Sequence, residues 1–444
     1  MSASPRISAG WRPLFLRHPA LRTPRAAFCA GLLLRLVYVT AAHAYRFSAV
    51  QDHFKFGYEM ARIARSLVEG EGYANPFGGH TGPTAWIAPL YPLLIAVAFK
   101  LCGVYSPLSA WTLLAVNSLF SAATAWPIYS IADRCFGSRT ARWAAWLWAL
   151  YPPAMQFAVR WVWETAISTF LFTASVDLAL RLRGAGERGE PETGLLSRWL
   201  LFGGLWGAIA LLNPTLLLFL PFCGVWILAG ERNLFRNRAK SAGRAALAAL
   251  LFFACIAPWT WRNWRRFHAF VPLRSNFGAE LYAGNGPGAM GFRFGALIGL
   301  PENDPQHILY AKMGELAYVR SRGRLAEAAI AADPGRFAGL SLKRFYFFWA
   351  SVPHPQTRAY LADFLRQATY CFASLAGILG AVLALRRRAP GAWLMAAAFA
   401  LCPLTYYFVT VEARFRNPLE PLMAILAVYL FQSADGMRAS RVGR

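Results

Sequence analysis

AAFCAGLLLRLVYVTAAHAY, residues 26–45, is the stretch whose reading decides the fold. Its only formal charge before His43 is Arg35, and its length matches the roughly 20 apolar residues that a helix needs to cross hydrocarbon. An open sheet edge in lipid would leave backbone groups unpaired, so the run is read as a membrane-spanning helix and the chain as an all-α polytopic membrane protein. Composition agrees: 57% of the 444 residues are hydrophobic and only 15% charged, with a mean hydropathy of +0.35, which suits a membrane protein better than a soluble domain.

Outward from that run, Arg6, Arg12, Arg17, Arg22 and Arg25 precede it. They assign residues 1–25 to the cytoplasm and send the first span outward. Later clusters (Arg134/Arg139/Arg142, Arg181/Arg183/Arg188, Arg232/Arg236/Arg238/Lys240/Arg244, Arg386/Arg387/Arg388 and the tail Arg438/Arg441/Arg444) mark further cytoplasmic turns. Further spans are read at 108–131, 143–157, 165–182, 199–212, 215–229, 245–261, 368–385, 392–411 and 419–432, giving about ten crossings with both ends inside. Residues 86–103, with Pro89 and Pro92 near their start, are read as a partly inserted helix.

This divides the chain into a cytoplasmic arm (1–25), an N-terminal transmembrane module (26–262) with a first external loop (46–106), an external region (263–365), C-terminal transmembrane helices (366–433) and a cytoplasmic tail (434–444). In the external region Asp304-Pro305 and Asp333-Pro334 read as helix caps with proline at the first helical position. The apolar run at 340–352 reads as an interfacial helix with Lys343 and Arg344 snorkelling.

The net charge of +25 comes in short clusters between apolar spans, without the basic helix or aromatic motif of a nucleic-acid binder, so no nucleic-acid partner is expected. The seven cysteines lack metal-site spacing and read as small core residues. The start of the chain has no evident cleavable leader. Five histidines, His53, His80, His268, His307 and His354, lie on the external side of this map without the spacing of a metal site. GNGPG at 284–288 lacks the strand and Lys-Ser/Thr of a phosphate loop and reads as a turn.

QDHFKFGYEMARIARSLVEGEGYANPF, residues 51–77, follows the first span and carries four acids, two arginines and a lysine. Phe56, Met60, Ile63 and Leu67 fall on one helical face and Glu59, Arg62, Ser66 and Glu69 on the other, the pattern of an amphipathic helix on the outer surface. Gly70 and Gly72 end it. Asp52 and Glu59 are carboxylates at the bilayer edge. Asp52 also suits a helix cap, and Glu59 a pair with Arg62. Glu164, in AVRWVWETAIST, is a third acid on the same side, set among tryptophans where a carboxylate needs a partner or a task.

ARIARSLVEGEGYANPF with GPTAWIAPLYPLLIAVAFKLCG, then FGSRTARWAAWLWALYPP, APWTWRNWRRFHAFVPLRSNFGAELYAGNGPG and EARFRNPLEP, resemble in order the GT-C membrane glycosyltransferases. The likeness is greatest to bacterial relatives of protein O-mannosyltransferases and of the lipid A aminoarabinose transferase. The resemblance implies a GT-C-like helical bundle with external amphipathic helices and an external loop region. It also implies transfer of a sugar from a polyprenyl-phosphate donor to an acceptor protein, lipid or glycan at the outer face, in a multi-pass protein of a bacterial inner membrane.

An acid of the first external loop is the implied general base. Where relatives carry an Asp-Glu pair, this chain has Phe56, with Asp52 a turn earlier and Glu59 a turn later, so either can serve. Glu164 matches a second acid placed before a span. Arginines must meet the leaving lipid phosphate, and Arg262, Arg265, Arg266, Arg414 and Arg416 stand at outer span ends. Arg262, Arg265, Arg414 and Arg416 are taken as the phosphate contacts, and ordinary snorkelling to headgroups is the other reading of each. No cofactor is implied, and a divalent metal is left open. Membrane lipids are the remaining partner. A transporter or lipid flippase is the alternative, resting on Asp177 and Arg35 inside spans.

Overall fold

The computed structural model describes residues 19–48, 54–186, 195–230, 238–292, 298, 302–353 and 360–442. Asp52, His53, His354 and most of residues 184–193 lie outside them. The described chain is helical, and its one β-bridge joins Ala74 to Pro83.

Helix α1 (Pro24–Ala41) opens on Thr23, whose side chain accepts from the Ala26 N–H, with proline at the first position. Arg35 is fully buried in it. Its guanidinium donates to Ser121 Oγ (3.1 Å), Gly31 O (2.9 Å) and Ala149 O (2.9 Å), which makes a buried charge tolerable among apolar helices.

Helices α2 (Glu59–Val68) and α3 (Leu90–Cys102) follow. At 13 residues, α3 is about 20 Å long, short of a bilayer's roughly 30 Å. The bundle continues with α4 (Pro107–Ala123), α5 (Ala125–Phe136), α6 (Ser138–Leu150), α7 (Pro152–Val159), α8 (Thr165–Arg183), α9 (Leu195–Ala210), α10 (Leu220–Gly230) and α11 (Arg238–Phe267). Outside it lie α12 (Phe277–Asn285), α13 (Pro305–Met313), α14 (Glu315–Ala332) and α15 (Pro334–Ala350), and α16 (Tyr360–Arg386), α17 (Ala392–Leu401), α18 (Leu404–Phe408) and α19 (Glu420–Val442) complete it.

Among the described residues five helical stretches are long and apolar enough to cross a membrane, with shorter apolar helices at Leu90–Cys102, Leu195–Ala210, Pro214–Gly230 and Ala392–Phe408. The protein is an integral membrane protein. Several runs that read as unbroken spans are jointed. Residues 143–157 divide at Tyr151, whose extended backbone precedes Pro152, as the residue before a proline prefers. Pro403, which has no N–H to give to the helical ladder, separates α17 from α18 although Cys402 before it stays helical.

Helix ends sort into two groups. At one end Trp146 donates to Leu21 O (2.9 Å), Thr140 to Gln432 (2.9 Å) and Arg387 to Ser433 (3.0 Å); this is the basic end. At the other, Trp111 donates to Thr40 (3.1 Å), the Leu90 N–H to Leu211 O (3.1 Å) and Asn117 to Trp161 O (3.2 Å); this is the loop end. Helix α9 runs parallel to α11, and α16 to α19. In α9 and α11, Gly203 lies against Ala248, where a Cβ would meet its carbonyl at 2.2 Å, and in α16 and α19, Gly380 lies against Leu426 at 2.3 Å. Such small residues let helices approach closely in lipid.

The caps expected at Asp304 and Asp333 form, accepting from Gln306 and His307 and from Arg336. Two faces differ from the sequence reading. Arg62 and Ser66, on the expected outer face of α2, are buried, because the loop after the helix folds back so that Asn75 bonds Ser66 and Glu71, while Arg62 stacks on Tyr58 at 4.2 Å. Arg344 does not snorkel. It is fully buried and donates to the carbonyls of Gly284, Tyr407 and Phe408, tying α15 to α12 and α18.

Candidate active site at the loop end

Glu59 reaches the site through an unusual turn. Gly57 (φ 92°) and Tyr58 (φ 48°) both have positive φ just before α2, a conformation that costs a non-glycine residue on the order of 1–3 kcal/mol. The turn packs on the segment that carries Glu164: the Val162 N–H donates to Lys55 O (3.0 Å), and a Cβ on Gly57 would lie 2.4 Å from Val162 O. Only glycine allows that approach. Phe54 meets Trp161 edge-on at 5.9 Å, and Trp161 stacks on Trp163 at 4.7 Å. The first loop and the α7–α8 connection are thus one surface, which brings the segments bearing Glu59 and Glu164 together.

Glu164 immediately precedes α8. Its side chain is 13% exposed, with Arg414 Nη1 at 3.9 Å, and its Oε2 is buried with no hydrogen bond. Arg414 lies 4.2 Å over the Trp163 ring and donates through Nε to Glu412 Oε2 at 2.7 Å. Beside this pair Tyr406 and Thr215 share a 2.6 Å hydrogen bond. The Thr410 and Ser168 hydroxyls are buried without a partner. The result is a largely buried polar cluster with an acceptor and hydroxyls left unmet, in which a carboxylate faces an arginine.

The other candidate arginines sit differently. Arg416 is fully buried. It pairs with Glu420 at 3.1 Å and donates to Trp349 O (2.8 Å), Tyr370 O (3.1 Å) and Ser374 Oγ (2.6 Å). Arg262 donates to Thr84 O (2.6 Å), Tyr73 O (2.6 Å) and Asn263 (2.9 Å), and clamps the first loop onto α11. Arg265 is exposed. Arg262 and Arg416 therefore brace, whereas Arg414 and Arg265 are placed at or near open surface.

Sequence reasoning missed the acid that joins α14 to the segments before α3 and α12. Glu315, the first residue of α14, is buried. It accepts from Thr84 Oγ1, the Ala85 N–H (2.7 Å), Ser275 Oγ (2.6 Å) and Tyr310 OH (2.7 Å). Burial pushes its pKa above the ordinary carboxylate value, and the four hydrogen bonds oppose that. Three of its four donors, Thr84, Ala85 and Ser275, lie at least 40 residues away in sequence, so no local pattern marks it. Glu412 had a signal in its spacing from Arg414. Among the described residues no group of three or more His, Cys, Asp or Glu side chains is placed to hold a metal ion.

No protein-family model and no curated protein matches the sequence. Solved structures do. The chain is similar to the oligosaccharyltransferase of Archaeoglobus fulgidus in the apo form, with a TM-score of 0.51 and 13% identity over 94% of this chain and 51% of that one. It is similar to the same archaeal protein, AglB, in complex with an inhibitory peptide and a dolichol-phosphate (0.51, 15% identity, 94% and 51%). ArnT from Cupriavidus metallidurans bound to undecaprenyl phosphate covers 92% of this chain and 77% of its own at 14% identity, with a TM-score of 0.40. The chain spans about half the length of the oligosaccharyltransferase, at 51%. Its fold is that of the archaeal oligosaccharyltransferase's matching half.

Proposed function

We propose that this protein is a membrane glycosyltransferase that moves a sugar from a polyprenyl-phosphate donor to an acceptor at the outer face of a bacterial inner membrane. The observation that carries the reading is the buried, unbonded carboxylate oxygen of Glu164 facing Arg414, on a surface shared with the turn that presents Glu59. A buried acceptor without a donor is costly to maintain and is expected where a ligand completes it.

In this reading Asp52 or Glu59 is the general base. As the acceptor oxygen or nitrogen bonds to the anomeric carbon, its proton passes to that carboxylate, and the bond from the anomeric carbon to the phosphate oxygen breaks with its electron pair. Glu164 supports the acceptor side. Arg414, held flat on Trp163, and Arg265 meet the leaving phosphate. Arg262 and Arg416 serve from behind, fixing the loop and the end of α19. The intramembrane residues on which a transporter reading leans have internal partners: Asp177 bonds Arg181 at 2.9 Å and Ser130 at 2.6 Å.

The test is incubation of the purified protein with radiolabelled polyprenyl-phosphate sugars and candidate acceptors, with and without a chelator. Transfer that depends on Glu164 supports the reading, and the chelator arm decides whether a divalent ion takes part. Movement of the lipid between leaflets without transfer would favour a flippase.

A further inference from the structure

The basic end contains a cavity that the proposed chemistry does not use. It lies between the C-terminal ends of α8 and α10 and the start of α17, has a volume of about 310 Å³, and is lined by Arg183, Trp226, Gly230, Gly391, Ala392 and Trp393 among others. That is the share of roughly ten liquid waters at about 30 Å³ each, room enough for a polar headgroup.

Arg183 is built into it. Its guanidinium lies 4.1 Å over the Trp226 ring, and Nη1 donates to Trp226 O, so the plane is fixed by stacking and by one hydrogen bond. Among the described residues Nη1 makes the one hydrogen bond of this guanidinium, which leaves Nε and Nη2 as donors toward the cavity. A Cβ at Gly230 would lie 2.0 Å from Arg183 Nε, so the guanidinium occupies space that only glycine leaves. No acid is among the described residues lining the cavity. The start of α17 adds to the positive field, for its Gly391 cap makes no side-chain bond to the first-turn N–H groups, of which that of Ala392 donates to Ala389 O. Around the cavity Val225 and Trp393 are 67% and 69% exposed, an apolar surface that suits acyl chains and the headgroup belt rather than open water.

We propose that this cavity binds the phosphate headgroup of an anionic phospholipid from the adjacent leaflet, gripped by the free side of Arg183. Basic pockets between transmembrane helices recognise such headgroups. The inference is independent of the sugar-transfer reading, since it uses no residue of the loop end.

Native mass spectrometry of the full chain with dioleoyl phosphatidylglycerol or dioleoyl phosphatidylcholine tests it. Wild type should retain one phosphatidylglycerol at least tenfold more tightly than phosphatidylcholine. Arg183→Gln and Gly230→Ala should each lose that preference, while Arg387→Gln, at the same end but outside the cavity, should keep it. Equal retention of both lipids, or undiminished retention by Arg183→Gln, overturns the proposal. So does displacement of the lipid by millimolar inorganic phosphate, which would make the ligand a soluble anion. Should the variants not fold, thermal unfolding of wild type decides: stabilisation by phosphatidylglycerol and not by phosphatidylcholine supports the site, and equal stabilisation refutes it.

Discussion

Glu315 and Glu164 are both poorly exposed carboxylates at the loop end, and they have opposite surroundings. Glu315 has four donors around it, from three separate parts of the chain. Glu164 has an arginine at 3.9 Å and an oxygen with no hydrogen bond. Two residues apart, Arg416 is enclosed by carbonyl acceptors and Arg414 is stacked on Trp163 and bonded to Glu412. A charge whose hydrogen bonds are all met inside the protein holds the fold together. A carboxylate oxygen left without a hydrogen bond, as in Glu164, is available to something that arrives.

The largest effect expected from this contrast is on catalysis. Glu164→Gln removes a charge and keeps the shape, and it should lower kcat for sugar transfer by about 10²–10⁴-fold, the usual worth of a positioned acid or base. Glu59→Gln or Asp52→Asn should do the same, whichever is the base. Thermal unfolding should barely change for any of them. If Glu164→Gln retains full kcat, incompleteness of hydrogen bonding is no guide to function in this molecule.

Arg416 should behave the other way. Arg416→Met leaves Glu420 buried without its partner and should cost about 3–5 kcal/mol of stability, read as a lowered Tm. The double variant Arg416→Met/Glu420→Leu, which removes both charges, should recover most of the loss. If the double variant is no better than the single, the pair is not the reason Arg416 matters.

A smaller effect separates Arg414 from a simple positive charge. Arg414→Lys keeps the charge and loses the flat face against Trp163 and the donor fork. It should reduce kcat/KM about tenfold, about 1.4 kcal/mol, with little change in Tm. A loss seen in Tm and absent from kcat/KM would place Arg414 with Arg416 among the braces.

The sequence revealed the open half of this contrast better than the closed half. Glu164 and Arg414 stand beside aromatic residues at the ends of apolar runs, a local pattern visible without coordinates. The all-helical membrane fold was equally visible, because hydrocarbon leaves a chain few alternatives. The closed half depends on partners distant in sequence: Glu315 with Thr84, Arg344 with Phe408, Arg416 with Trp349. Helical periodicity reports which face of a helix is polar. It does not report whether another part of the chain will cover that face, and so Arg62 and Ser66 read as exposed and are buried. The joints at Tyr151 and Pro403 were written in prolines but hidden inside hydrophobic runs.

The finest test concerns which force prevails at Glu315. Burial raises its pKa above the model-compound value of 4.5, and its donors pull it back. A carboxyl group with a raised folded-state pKa binds its proton more tightly when folded. It therefore contributes stability that is fully present below the unfolded pKa and is lost as pH rises through the folded one. The stability of wild type relative to Glu315→Gln, which cannot ionise, should accordingly fall as pH rises from about 4.5, measured by thermal unfolding across that range. A difference that instead grows with pH would mean that the donors outweigh burial and that Glu315 is held as a carboxylate. The closed site would then be an anion cradle formed by the protein around its own side chain, the counterpart of the open one that Arg414 offers to a substrate.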